Sequence, residues 1–121
     1  MKIIKTSEVP KNIADSPIFT GGQVTQQSIV TPATSKFFTV SLVTFAPGAR
    51  NKFHTHTTDQ VLIVTAGKGI CATEYEQMIV SPGDVIHFPA GEVHWHGATK
   101  ESSFAHIYIT GAGSKTTQVE K

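Results

Sequence analysis

The stretch GARNKFHTHTTDQVLIVTAGKG, residues 48–69, sets two histidines one residue apart between framing glycines and runs on into an aliphatic segment. Side chains on a strand alternate between its faces, so His54 and His56 point one way while Phe53 and Thr55 point the other. Two imidazoles aimed into one cavity are the first half of a metal site. Thr57, Thr58 and Asp59 form a polar bend that returns the chain beside the histidines, where Gln60 presents its amide oxygen at the head of the aliphatic run.

Outward from this stretch, apolar residues recur with period two or in short runs. Gly and Pro break them about every ten residues, and nothing sustains a helical period. Strands are predicted over Val24–Val30, Phe37–Phe45, Phe53–His56, Gln60–Thr65, Gly69–Tyr75, Gln77–Ser81, Asp84–Phe88, Val93–Ala98 and Phe104–Thr110. Turn signals separate them at Pro47-Gly48, Ala66 to Gly69, Pro82-Gly83 and Pro89 to Gly91. Many short strands must close on themselves or stack as two sheets to protect their edges. The fold class is therefore all-β, a small barrel or jelly roll with a pocket at one end. A length of 121 residues suits one such domain. The tail, residues 111–121, is polar enough to be expected mobile.

Composition excludes several partners. Lys+Arg number 10 against Asp+Glu 9, with no block of like charge to track a phosphate backbone or an anionic membrane, so nucleic acid is not expected. No stretch approaches the roughly 18 apolar residues of a membrane span, and the first residues lack the apolar core of a signal peptide. The single cysteine, Cys71, fits a reducing cytoplasm and reads as a small core residue.

The third imidazole comes from GDVIHFPAGEVHWHGA, residues 83–98: a strand, a Pro-x-Gly turn, then His94 and His96 on one face. Neutral imidazole nitrogen suits Mn, Fe, Co, Ni, Cu or Zn in the divalent state, and an amide oxygen is a harder donor tolerated by the earlier metals of that row.

The spacing Gly48-x5-His54-x-His56-x3-Gln60-x6-Gly67 resembles the first motif of the cupins, and Gly83-x5-Pro89-x-Gly91-x2-His94 resembles their second. The resemblance covers residues 48 to about 98. It implies a small β-barrel, or double-stranded β-helix, that binds one metal through His54, His56, His94 and the residue at position 60. Two positions depart from the pattern: Gln60 stands where Glu is usual, and Ala98 where Asn is common. More narrowly, PGARNKFHTH, QVLIVTAGKG and GEVHWHGA, with His106 further on, resemble the bacterial metal-dependent cupins that include the hydroxynitrile lyases, a subgroup that also carries Gln at the fourth ligand position. That resemblance implies a lyase that cleaves or forms cyanohydrins, with manganese the expected metal and Fe, Ni, Zn or Co as alternatives. Three neutral His and a neutral Gln leave the full 2+ charge on the ion, so the site is expected to hold metal more weakly but to act as a stronger Lewis acid than a Glu-containing one.

Other residues carry competing readings. Gln60 is either a ligand or a hydrogen-bonding pocket group. His96 either lines the cavity as a catalytic group or holds a ligand imidazole. His106, on a face with Phe104 and Tyr108, is either the general acid–base or a core residue. His87 is assigned to the outer face, and Trp95 away from His94 and His96. Arg50 and Lys52 are either anion-orienting groups at the mouth or a solvated rim. Ser41, Val43 and Phe45 are expected to wall the pocket. The function classes left open are a hydroxynitrile-type lyase, an Fe-dependent dioxygenase, and a non-catalytic metal or small-ligand binding module. The partners expected are a small-molecule substrate and a second copy of the chain, as a homodimer or higher assembly, because Val24–Val30 and the N-terminal KII segment would leave a sheet edge exposed.

Overall fold

Two antiparallel sheets face each other in the computed structural model, which describes residues 1–121. After one short turn of 3-10 helix at Thr6–Glu8, thirteen strands follow. They are β1 (Asn12–Ile13), β2 (Phe19–Thr20), β3 (Val24–Val30), β4 (Phe38–Phe45), β5 (Arg50–Asn51), β6 (His54–His56), β7 (Gln60–Gly67), β8 (Gly69–Thr73), β9 (Gln77–Val80), β10 (Val85–Phe88), β11 (His94–Ala98), β12 (Phe104–Gly111) and β13 (Thr116–Gln118). The first sheet runs β1-β3-β4-β12-β7-β10. In the second, β11 is central. Along one edge it pairs with β8, which pairs with β9; along the other it meets β6 at His94–His54 and β5 at Gly97–Arg50. Outside these lie β13, paired with β6, and β2, paired with β5. The fold is the all-β jelly roll expected from the pattern, and no helix is long and apolar enough to cross a membrane.

Burial follows the period-two rule where only one face is covered. On β7, Gln60, Leu62 and Val64 are buried while Val61 and Ile63 are half-buried, and on β4 Ser41, Val43 and Phe45 face in. The aliphatic and aromatic core gathers at one end, where Phe45 stands between Val24 and Phe104 in the strand register with its ring 5.9 Å from that of Phe104. Packing at that end leaves the other as a pocket. Two glycines are required by close approach. A Cβ on Gly67, at φ +72°, would overlap the Ser103 carbonyl oxygen, and one on Gly97 would sit 2.4 Å from Arg50 Cβ.

Three expectations change. The strand expected over Phe53–His56 starts one residue later, as β6, and is preceded by a short strand that was not expected, β5, with Lys52 and Phe53 between the two. The tail expected to be mobile is docked: β13 pairs with β6, and the Glu120 carboxylate accepts from the Phe53 backbone N–H and binds Arg50. The edge at Val24–Val30 is covered in part: β1 pairs with Thr25 and Gln26, and Gln27 donates to the Thr6 and Val9 carbonyls at 2.7 and 3.0 Å.

Candidate metal centre

The register of β6 against β11 puts His54 directly opposite His94, and the alternation on β6 adds His56 to the same face. One ring nitrogen from each of the three lies within 4.8 Å of the others, so the group could hold a metal ion. Their other ring nitrogens are engaged behind the site. His54 Nδ1–H donates to the Lys52 carbonyl at 2.6 Å and His94 Nδ1–H to the Glu92 carbonyl at 2.9 Å. His56 Nδ1 meets Thr116 Oγ1 at 2.9 Å. A carbonyl only accepts, so Nδ1 carries the proton in His54 and His94, and Nε2 keeps its lone pair. Ring orientation set from behind in this way is the usual companion of metal ligation.

Two features test whether these residues fit an ion. His56 Nε2 is buried and has no hydrogen-bond partner, which is costly for a polar atom unless something else satisfies it. Gln60 Oε1 lies 3.2 Å from His94 Nε2, close to the separation of about 3 Å between neighbouring ligand atoms on one ion with bonds of about 2.1 Å. Nitrogen and amide-oxygen donors together suit a divalent first-row metal. The residues fit.

Electrostatics point the same way. Burial lowers the pKa of His54, and it lowers those of His56 and His94 to about 4, with neighbouring imidazoles adding to the effect in the latter two. All three are neutral near pH 7, as metal ligation requires. The Phe88 ring stacks on His94 at 3.8 Å between centroids and restricts its rotation.

Deeper in the cavity lie His96 and His106, with ring centroids 4.9 Å apart. His106 is fully buried, neither ring nitrogen has a partner, and burial lowers its pKa to about 4. His96 is fixed by Asn51, a residue the sequence analysis did not single out. Asn51 Oδ1 accepts the His96 backbone N–H at 2.8 Å, so its Nδ2 is the atom that faces the His96 ring, 3.2 Å from Nε2. An amide nitrogen only donates. His96 Nε2 is therefore an acceptor, and the proton sits on Nδ1, which is buried without a partner. Burial, then the neighbouring histidines, depress the pKa of His96 well below its usual value.

The remaining candidates separate cleanly. His87 is on the outer face, bonded to the Asp59 carboxylate at 2.8 Å, and the same carboxylate accepts from Ala90 N–H beside Gln60. Trp95 points away from His94 and His96 and packs edge-on against Phe53, with the Arg50 guanidinium 4.1 Å above its ring. Arg50 is thus neither an anion-orienting group nor a free rim residue. Val43 and Phe45 line the cavity, and Ser41 reaches it through Gln26. Cys71 is buried and its thiol is pushed up to about 12, which makes it inert.

Comparison with known proteins places the chain. Over 68 residues it is 48% identical to an (R)-mandelonitrile lyase of Granulicella tundricola, an alignment covering 55% of this chain and 52% of that protein. Over 67 residues it is 36% identical to an acireductone dioxygenase of Trichormus variabilis, covering 50% of this chain and 37% of the relative. The chain thus spans about half of the first curated relative and little over a third of the second. Among solved structures, a cupin-like protein of Thermotoga maritima superposes over 100% of this chain and 90% of its own, with a TM-score of 0.83 and 31% identity. The Cupin domain family matches residues 41–110, the segment that carries every histidine described above, and the chain belongs to that family.

Proposed function

We propose that the chain is a metal-dependent lyase of the hydroxynitrile type, in which His54, His56, His94 and Gln60 hold one divalent transition metal, manganese first, and His106 with His96 moves the proton. The observation that carries this reading is a carboxylate-free donor set beside a buried, partnerless imidazole. The 48% identity to a mandelonitrile lyase over half the chain supports the substrate class. A divalent ion held there supplies Lewis-acid polarisation of a hydroxyl oxygen or a nitrile nitrogen.

The chain's own residues supply the rest. Burial keeps His106 neutral near pH 7, so it accepts a proton; in cleavage it takes the one on the cyanohydrin hydroxyl. The carbon–carbon bond to the nitrile breaks, its electron pair leaves with cyanide, and the carbonyl forms. The imidazolium so formed on His106 gives its proton to cyanide, which leaves His106 neutral for the next turnover, while His96, held by Asn51 with its proton on Nδ1, donates a hydrogen bond that orients the leaving cyanide. Phe45, packed on Phe104, closes the inner end of the cavity beside His96 and His106.

A second reading has its own support in the dioxygenase relative, 36% identical over half the chain. It keeps the same ligands, takes iron, and consumes dioxygen with an enolic substrate. The two separate in one experiment: release of benzaldehyde from mandelonitrile, and oxygen uptake with an enolic diketone, measured on Mn- and Fe-loaded protein. The lyase reading expects aldehyde release without oxygen uptake, falling by about 100-fold or more in His106→Ala. Oxygen uptake with Fe alone and no aldehyde would replace it with the dioxygenase, and tight ligand binding with neither reaction would leave a binding module. We further propose a homodimer and, from the free thiol of Cys71, a cytoplasmic setting.

A further inference from the structure

The cavity beyond the histidines measures about 490 Å³, and none of its 20 lining residues is Asp, Glu, Lys or Arg. Three basic residues adjoin lining residues in sequence: Arg50 is turned outward over Trp95 and tied to Glu120, and neither Lys52 nor Lys115 lines the cavity. Nothing in the wall is therefore placed to neutralise a carboxylate or phosphate at the far end of a ligand, and burying such a charge unpaired is costly. The wall is nonetheless polar. Inward positions of β12 run His106, Tyr108, Thr110 in steps of about 6.6 Å, so a tyrosine follows the candidate proton-transfer histidine.

Register brings two partners to that tyrosine. Ser41 stands opposite Tyr108, and Gln26 stands opposite Val43, itself opposite His106. Gln26 Nε2 donates to Ser41 Oγ and to Tyr108 Oη, each at 3.2 Å. Each hydroxyl thus serves as an acceptor and keeps its own proton, and no protein acceptor takes either one. Tyr108 lines the cavity while Ser41 lies behind Gln26 and helps to fix it, so the phenol proton in an otherwise uncharged wall calls for an acceptor oxygen on the ligand.

From this geometry we infer that Tyr108 and Gln26, backed by Ser41, form a second anchoring subsite, which takes a neutral oxygen at the end of the substrate remote from the reacting carbon. The substrate class is an uncharged aldehyde or cyanohydrin with a ring-sized spacer and a hydroxyl, ether or carbonyl at its far end. This rests on the histidine cavity being the substrate site, and its test does not require turnover.

Equilibrium binding of three benzaldehydes to the protein as purified, without cyanide, measures it by calorimetry. The set is para-hydroxymethyl, the nearly isosteric para-ethyl and the charged para-carboxylate. The hydroxymethyl compound is expected to bind about fivefold more tightly than the ethyl one, the worth of one hydrogen bond, with the carboxylate weakest. In Tyr108→Phe the ratio between the two neutral aldehydes collapses toward one. Equal affinity for the two in the wild type, a ratio that persists in Tyr108→Phe, or tightest binding of the carboxylate would each overturn the subsite. Mandelonitrile turnover on the same preparation separates the two proposals: the ratio without turnover leaves the subsite and removes the lyase, and turnover with a ratio of one does the reverse.

Discussion

Asn51 shows how one side chain sets the state of another. Its carbonyl is claimed by a backbone N–H, which leaves its amide hydrogens to fix the His96 ring, and both groups are buried. Asn51→Ala removes both bonds and is expected to cost about 1–3 kcal/mol in urea unfolding, because the buried His96 N–H loses its acceptor. Nitrogen NMR of His96 should change in the variant from one tautomer to a mixture. An unchanged single tautomer would separate Asn51 from that role. Gln60→Glu is expected to tighten metal binding while slowing turnover, because a carboxylate cancels one unit of the ion's charge. Metal titration followed by aldehyde release on the same samples reads both effects, and faster turnover would count against the neutral-donor argument. The convergence of His54, His56 and His94 was legible because strand parity is a local rule, whereas Gln60 was singled out by motif spacing rather than by parity. Asn51 was not legible. A continuous strand puts it on the face of Phe53 and Thr55, whereas the break at Lys52 and Phe53 shifts the parity and turns it inward.

Among the elements, the tail departs furthest from expectation. Its polarity suggested mobility, but polarity says nothing about backbone pairing, and β13 finds the open edge of β6. Thr116 then orients His56 from behind. Thr116→Val is expected to lower metal affinity by about 10- to 100-fold in a competition assay with a chelating dye, with little loss of fold stability. Affinity equal to wild type would show that Thr116 does not orient its histidine. Gly97→Ala probes the junction of β11 with β5. The added Cβ would meet Arg50 Cβ at 2.4 Å and the Ala49 carbonyl oxygen at 2.5 Å, so the strands must part. A loss of about 1–3 kcal/mol is expected, measured by chemical denaturation. The main strands were legible because their inward residues are apolar; β1, β2, β5 and β13 have two or three residues each and are created by their partners rather than by their own pattern.

At the scale of the whole molecule, the cavity concentrates five histidines whose pKa values are all lowered, chiefly by burial. A histidine held neutral in the fold and titrating near 6.5 when unfolded gives the unfolded chain more protons between the two values. Stability is therefore complete above about pH 6.5 and is lost as pH falls toward 4, where His106 alone accounts for roughly 3 kcal/mol. Urea unfolding of the metal-free protein from about pH 7 to about pH 4.5 should show that decline, and bound metal should move it to lower pH. A flat profile would contradict the neutral cluster. The jelly roll and the end of the barrel that holds the site were legible in the sequence, whereas the uncharged cavity wall was not, because it is assembled from both sheets and the tail.

The central claim is that the histidine cluster holds a metal. Elemental mass spectrometry of untagged wild-type protein beside His54→Ala, both reconstituted with manganese or iron and then desalted, tests it most directly. The account predicts about one ion per wild-type chain and near none in the variant, which loses one of three imidazoles within 4.8 Å of one another. Wild-type protein that retains no metal, or a variant that retains as much as wild type, would contradict it.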